Sequence, residues 1–214
     1  MSKGEDPIDE YWSTRFAREG MIWGDRPSPS ALQAKARFLE DGVQSVLIPG
    51  AGYGRNTKVF SPDMDTYGIE LSSAALELAA VWDSRTLFIK GSALEPQLDI
   101  QVDAVYCFDV LHLFLAGGRR QFIAASLAQL RPGGLLYFTS FSDEDPNNGK
   151  GIMLEPGTYE YKEGKYAHFF SDTELREHFS AVDIVETGTF IELLPSPGSG
   201  THEYILRYIL ARKK

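Results

Sequence analysis

The stretch Val46-Leu47-Ile48-Pro49-Gly50-Ala51-Gly52-Tyr53-Gly54-Arg55-Asn56 decides how the rest of the chain is read. An apolar run ends in three alternating glycines, the pattern of a strand that feeds a tight loop with a helix beyond it. Glycine lets the backbone turn sharply and approach a ligand closely, and in doubly wound sheets ligands sit at the carboxyl ends of the strands. The dinucleotide fingerprint needs a third glycine at its sixth position, where this chain has Arg55. A Walker loop needs Gly-Lys followed by Ser or Thr, which is also missing. The loop is therefore a ligand loop that fits neither phosphate-binding pattern.

Outward from it, Val43 to Ile48, Thr66 to Glu70, Thr86 to Ile89, Ala104 to Phe108 and Leu135 to Phe141 read as strands. Helical patterns fall between them: Ser72 to Asp83, with Ser72 as N-cap and Ala75, Leu76, Ala79 and Ala80 at helical spacing, and Arg119 to Leu130, stopped by Arg131-Pro132-Gly133-Gly134. This alternation predicts an α/β fold with a parallel, doubly wound sheet. The stretch from Ser142 to Phe170 breaks the rhythm with Asp, Asn, Gly and Pro, and Thr158 to Tyr161 against Tyr166 to Phe169 reads as a hairpin around Lys162-Glu163-Gly164-Lys165. Such an insertion is read either as a lid or as a plain surface loop. A short helix from Asp172 to Phe179, a strand near Val182 to Glu186 and a final strand from Glu203 to Leu210, reached through Pro195-Ser196-Pro197-Gly198-Ser199-Gly200, complete the pattern.

Glu70 ends the second strand 20 residues after Gly50. A carboxylate there suits both hydroxyls of a ribose, a reading that the order of glycine loop and acid favours over a charge placed ahead of the following helix N-terminus. The chain has 214 residues, 43% hydrophobic and 24% charged, which suits one globular domain. Its 21 basic and 30 acidic residues give a net charge of -9, a poor match for a nucleic-acid backbone or an anionic membrane. The single cysteine, Cys107, sits in an apolar run and reads as core, with no disulfide framework and no metal site. Met1 to Asp9 lacks the pattern of a signal peptide, and no apolar run reaches membrane-spanning length, so a cytoplasmic location is expected.

Taken in order, these pieces resemble the class I S-adenosylmethionine-dependent methyltransferases, from about Tyr11 to Lys214. Gly50, Ala51, Gly52, Tyr53 and Gly54 look like the family's first motif, followed by Asn56. Tyr67-Gly68-Ile69-Glu70-Leu71-Ser72 resembles its ribose-binding second strand, and Gly91-Ser92-Ala93-Leu94 the adenine-contacting turn after the third. Asp103 to His112, with Phe108 and Asp109 at the strand exit, is similar to the fourth strand, where the methionine end of the cofactor lies. Leu130 to Leu136 is similar to the segment entering the fifth. One departure is Ile48, where many members carry an acid two residues before the first glycine.

Pro49-Gly50, with Tyr11-Trp12-Ser13-Thr14-Arg15-Phe16 and Ile22-Trp23-Gly24-Asp25-Arg26-Pro27-Ser28, resembles the thiopurine- and tellurite-resistance-type branch. The resemblance implies a Rossmann-like methyltransferase fold, a mostly parallel seven-stranded sheet with its last strand antiparallel, formed by residues 1–214 as one domain. Residues 1–30 would then fold over the cofactor, with 142–170 as an insertion that is either a lid or a plain surface loop. It also implies Trp12 and Trp23 over the sulfonium, since an aromatic face attracts a desolvated cation. Ordinary core packing explains the same tryptophans.

The expected activity is methyl transfer from S-adenosylmethionine, leaving S-adenosylhomocysteine, to a small-molecule acceptor such as a thiol or another soft nucleophile. The alternatives are a catalytically silent cofactor-binding or partner-activating protein and a nucleotide-dependent oxidoreductase. If the acceptor carries a proton, Asp109 and His112 are the nearest candidate bases, with structural roles as the plainer reading of both. His168 and His202 are expected near the acceptor by their place beside the insertion and the final hairpin.

Overall fold

The computed structural model describes residues 7–96, 98–162, 164–196 and 200–214. Two helices come first, α1 (Pro7–Glu19) and α2 (Pro29–Glu40). Then follow β1 (Ser45–Pro49), α3 (Thr57–Phe60), β2 (Asp65–Glu70), α4 (Ser73–Trp82), β3 (Leu87–Lys90), β4 (Val102–Cys107), α5 (Ala116–Gln129) and β5 (Leu130–Phe141). The second half adds β6 (Ile152–Glu155), β7 (Thr158–Lys162), β8 (Lys165–His168), α6 (Asp172–His178), β9 (Asp183–Ser196) and β10 (Gly200–Arg212).

The main sheet has seven strands in the order β3-β2-β1-β4-β5-β10-β9. β1 pairs in parallel with β2 and with β4, while β10 runs antiparallel to both β5 and β9. It is thus a mixed, Rossmann-like sheet in which β10 alone opposes the other six strands. The chain leaves β1 for one side of the sheet and returns on the other at β4, so a crevice opens at the carboxyl ends of these neighbours.

Both faces of the sheet are covered, which is why its inner strands read as continuous apolar runs. Side chains alternate along a strand, so Leu47, Val105, Cys107 and Phe138 pack on one face with Phe122 and Ile123 of α5 and Leu175 of α6. Val46, Ile48, Ala104 and Tyr106 point the other way, onto Ala31, Ala34 and Phe38 of α2 and Phe60 of α3. Helix starts follow from local chemistry. Ser28, Ser72 and Ser171 each accept a backbone N–H of the first turn through the side chain, and Pro29 opens α2 with its φ already set.

Three boundaries differ from the sequence reading. Arg131-Pro132-Gly133-Gly134 does end α5, but it lies inside β5 as an irregular stretch, because Gly133 N donates to Lys213 O and Lys213 N to Gly134 O. The strand expected near Val182 to Glu186 continues to Ser196, and β10 spans Gly200–Arg212. Residues 197–199 of the intervening Pro195 to Gly200 connection, and Glu163 of the hairpin turn, lie outside the described residues. The third is the start of α5 at Ala116, ahead of the expected Arg119.

Pairing of β10 with β5 stops at Leu206 and Phe141, whereas its pairing with β9 continues to Gly200 and Ser196. The end of this hairpin therefore overhangs the carboxyl edge of the sheet. The insertion forms a separate antiparallel sheet, β6-β7-β8, with β7 and β8 closing the hairpin at Lys162 and Lys165. Its base is pinned to the body: His168 Nδ1 meets Thr158 Oγ1 at 2.8 Å, and His168 Nε2 donates to Glu174 Oε1 of α6 at 2.8 Å. Arg119 of α5 donates to Glu155 Oε1, also at 2.8 Å. No helix among the described residues is long and apolar enough to cross a membrane.

Phe138 is fully buried between Phe122 and Phe179, whose ring centroids lie 5.6 and 5.2 Å away. Phe138→Ala is expected to cost about 3–5 kcal/mol, read as a lowered urea midpoint with an unchanged slope.

Candidate active site

The glycine loop leaves β1 under tight steric control. Gly50 has φ 68°, and a Cβ there would lie 2.5 Å from Cγ2 of Val110. Gly52 has φ 56°, and a Cβ there would meet only Cζ of Phe16, at 3.7 Å. The first glycine is required by packing against the exit of β4. The second leaves open space in front of the backbone.

Glu70 fixes the shape of that space. Its Oε2 accepts from Gly52 N at 2.8 Å and its Oε1 from Ser72 N at 2.9 Å, so the carboxylate joins the glycine loop to the start of α4. Tyr53 does the same for the N-terminal segment: its hydroxyl donates to Gly24 O at 2.7 Å and accepts from Trp23 N. Burial pushes the Tyr53 phenol up to about 12, so it stays a donor near neutrality.

These groups line a cavity of about 340 Å³ at the carboxyl ends of the strands. Its wall contains Trp12, Trp23, Gly50, Ala51, Gly52, Tyr53, Asn56, Glu70, Leu71, Ser92, Ala93, Leu94, Phe108, Asp109 and His112. Ser72 is not on the wall; its side chain caps α4 by accepting from Ala75 N. Asn56 also accepts from Ser28 N at 2.9 Å, which holds α2 against the loop. Trp12, Phe16, Trp23 and Tyr53 pack as one aromatic wall, with Trp12 and Trp23 centroids 5.9 Å apart.

His168 and His202 are not on this wall. His168 is fully buried at the base of the insertion, and His202 lies on the exposed end of the final hairpin. Position beside a segment does not specify which face a side chain takes. Sequence reasoning also missed Arg15, Phe16, Phe141, Tyr161, Lys165, Leu194 and Tyr204, all on the cavity. They come from α1, the end of β5, the insertion hairpin and the overhang, all outside the glycine loop and the exits of β2, β3 and β4. Among the described residues no group of three or more His, Cys, Asp or Glu side chains is placed to hold a metal ion.

Asp109 and His112, the two candidate bases, have opposite electrostatics. Asp109 has φ 54°, unusual for a residue with a Cβ, and accepts from Thr139 Oγ1 at 2.8 Å. Burial pushes its carboxyl up to about 7, and the Glu192 carboxylate adds to the effect. His112 stacks on Phe141 at 4.0 Å, its Nδ1 is buried with no hydrogen-bond partner, and burial pushes the ring down to about 3. The imidazole is neutral throughout the physiological range, whereas Asp109 exchanges a proton near neutral pH. Cys107 is buried core, its thiol pushed well up by burial.

Residues 47–138, from β1 into β5, match the family model described as a methyltransferase domain. No curated protein matches the chain. Among solved structures, one described for the conversion of a disulfide bond into a thioacetal group during echinomycin biosynthesis superposes with a TM-score of 0.73 at 17% identity, covering 96% of this chain and 93% of that one. The 1,6-didemethyltoxoflavin-N1-methyltransferase of Burkholderia thailandensis, with 1,6-didemethyltoxoflavin and S-adenosylhomocysteine bound, gives 0.69 at 21% identity over 97% and 87% of the two chains. TehB from Haemophilus influenzae gives 0.65 at 15% identity over 96% and 67%. At these identities the likeness establishes the shared fold.

The folded state keeps a proton on Asp109 that the unfolded chain has already released above about pH 4. Stability of the ligand-free protein should therefore fall as pH rises from about 4 through 7. Asp109→Asn should remove this component, its advantage over wild type in thermal melts growing between pH 5 and 8; a constant difference would count against a raised carboxyl.

Proposed function

We propose that the protein transfers the methyl group of S-adenosylmethionine to a small-molecule acceptor, with a thiol or another soft nucleophile as the preferred atom. The observation that carries this reading is the Glu70 carboxylate, held by Gly52 N and Ser72 N beside an open glycine cradle and an aromatic wall. The chain's own residues fit the cofactor: Glu70 suits the ribose, Leu71 and Ser92 to Leu94 the adenine, and the Trp12, Trp23 and Tyr53 rings a cationic sulfur. The thioacetal-forming neighbour supports chemistry at sulfur, and TehB supports the tellurite-resistance type of the branch.

S-adenosylmethionine supplies an already activated methyl group when bound, so the chain mainly has to align an acceptor and exclude water. Alignment of this kind contributes up to about 7–11 kcal/mol. Residues 1–30 and 142–170 are the covering segments in this reading. Tyr11, Trp12 and Arg15 of α1 line the cavity together with Tyr161, Gly164, Lys165 and Tyr166 of the insertion, and Lys165 Nζ sits 4.0 Å from the Tyr11 ring. Asp109 accepts the proton of an acceptor that carries one, while neutral His112 orients or packs.

Calorimetric titration with S-adenosylmethionine and S-adenosylhomocysteine, with a nicotinamide dinucleotide as control, tests the cofactor. Glu70→Ala and Gly52→Val should each weaken binding about tenfold or more, the first through lost hydrogen bonds and the second through a Cβ in the cradle at φ 56°. Wild-type-like affinity in both folded variants would overturn the site. A screen of thiols then tests the acceptor, and binding without turnover of any thiol would count against the soft-nucleophile reading.

A further inference from the structure

Arg55 stands where a dinucleotide fingerprint has its third glycine, and the cofactor site gives it no task. It is 6% exposed, yet it lines the cavity. A guanidinium has five N–H donors in a fixed fork, and buried polar groups are normally paired. Among the described residues this one makes a single hydrogen bond, from Nη2 to Glu192 Oε1 at 3.3 Å. Nε and Nη1 make none. The plane is also fixed from one side, with Cζ 4.9 Å from the centre of the Phe108 ring. Glu192 is itself anchored, accepting from Ser28 Oγ at 2.7 Å.

The position of this fork separates it from the adenosine end of the cavity. Glu70, Leu71 and Ser92 to Leu94 follow β2 and β3, whereas Arg55 is held between Phe108, at the exit of β4, and the overhanging end of β9. The same end of the wall carries Phe141 and Tyr204, whose rings are parallel with centroids 5.3 Å apart. The cavity is lined by two further cations, Arg15 and Lys165, in a chain whose net charge is -9. Cations gathered in a cleft with apolar walls act with far less screening than on the surface. The acids on the wall are Glu70, engaged by two backbone amides, and Asp109.

We propose that Arg55 is a specificity-determining residue of the acceptor end: its unpaired donors receive an anionic group, of carboxylate type, carried by a flat apolar acceptor. The proposal rests on the methyltransferase reading above. Planar, two-point recognition of a carboxylate is what a guanidinium does and an ammonium does not. Glu192 and Phe108 hold the fork in place before the ligand arrives.

Benzoate and its neutral isostere benzamide are the probes, titrated calorimetrically into protein saturated with S-adenosylhomocysteine. Wild type should bind benzoate at least tenfold more tightly than benzamide. Arg55→Lys, which keeps a charge beside buried Glu192, should lose most of that preference. The double variant Arg55→Gln/Glu192→Gln, which leaves no unpaired buried charge, should lose all of it, and both should hold S-adenosylhomocysteine within about threefold of wild type. Equal or absent binding of the two probes to wild type, or a preference that survives in both variants, would overturn the proposal. So would weakened binding of S-adenosylhomocysteine with unchanged binding of 5′-methylthioadenosine, because Arg55 would then serve the amino-acid carboxylate of the cofactor. A wild-type protein that takes up no S-adenosylhomocysteine at all would instead remove the methyltransferase reading on which the proposal stands.

Discussion

The two hydrogen bonds accepted by Glu70 organise the cavity. The donors, Gly52 N and Ser72 N, belong to the loop after β1 and the helix start after β2, two segments that the carboxylate ties to each other. Leaving a buried amide unpaired costs about 1–3 kcal/mol, so the carboxylate holds both segments while presenting itself to the cavity. Its own position is set by the parallel register of β1 on β2, where Pro49 lies beside Ile69, and by Ala51 N donating to Ile69 O at 2.9 Å just beyond the strand. The ligand loop thus inherits its geometry from sheet pairing rather than from the loop sequence alone.

A second set of polar contacts extends this control to the N-terminal segment and the final hairpin. Ser28 caps α2 and also donates to Glu192, and Ser30 is 2.8 Å from the Tyr106 hydroxyl. These are buried groups with specific partners, so a shift of α2 relative to the sheet would leave several of them unmatched. Apolar burial then tunes the chemistry differently at neighbouring positions. It disfavours the charged form of whatever it surrounds, which raises a carboxyl at Asp109 and lowers an imidazole at His112. Two residues three positions apart consequently end up with distinct proton chemistry.

Much of this was legible in the sequence, for physical reasons. Inner strands covered on both faces must be apolar at nearly every position, so Val46 to Ile48 and Ala104 to Cys107 stand out. Ser72 and Ser171 advertise helix starts, and the spacing from Gly50 to Glu70 marks a strand and its neighbour in register. The long hairpin was harder to see. β9 contains Gly188 and Pro195, and its half-exposed faces alternate Val185, Thr187, Thr189, Ile191 and Leu193 without a continuous apolar run. Arg55 was invisible as a site residue because its partner Glu192 lies 137 positions away, and His168 was misplaced because burial at Thr158 and Glu174 is decided by folding of the insertion.

The overhang of the last hairpin has a consequence for the order in which the protein becomes competent during synthesis. The glycine loop, Glu70 and the exit of β4 are all made by residue 112, but the wall opposite them includes Leu194 and Tyr204. Glu192, the counter-charge of Arg55, is made equally late. Since β10 inserts between β5 and β9, neither β9 nor its overhang has a place in the sheet until β10, which follows them in the chain, has been made. A chain made only as far as residue 112 would present the cradle to solvent with an uncompensated guanidinium beside it, so the full wall waits for β9 and β10.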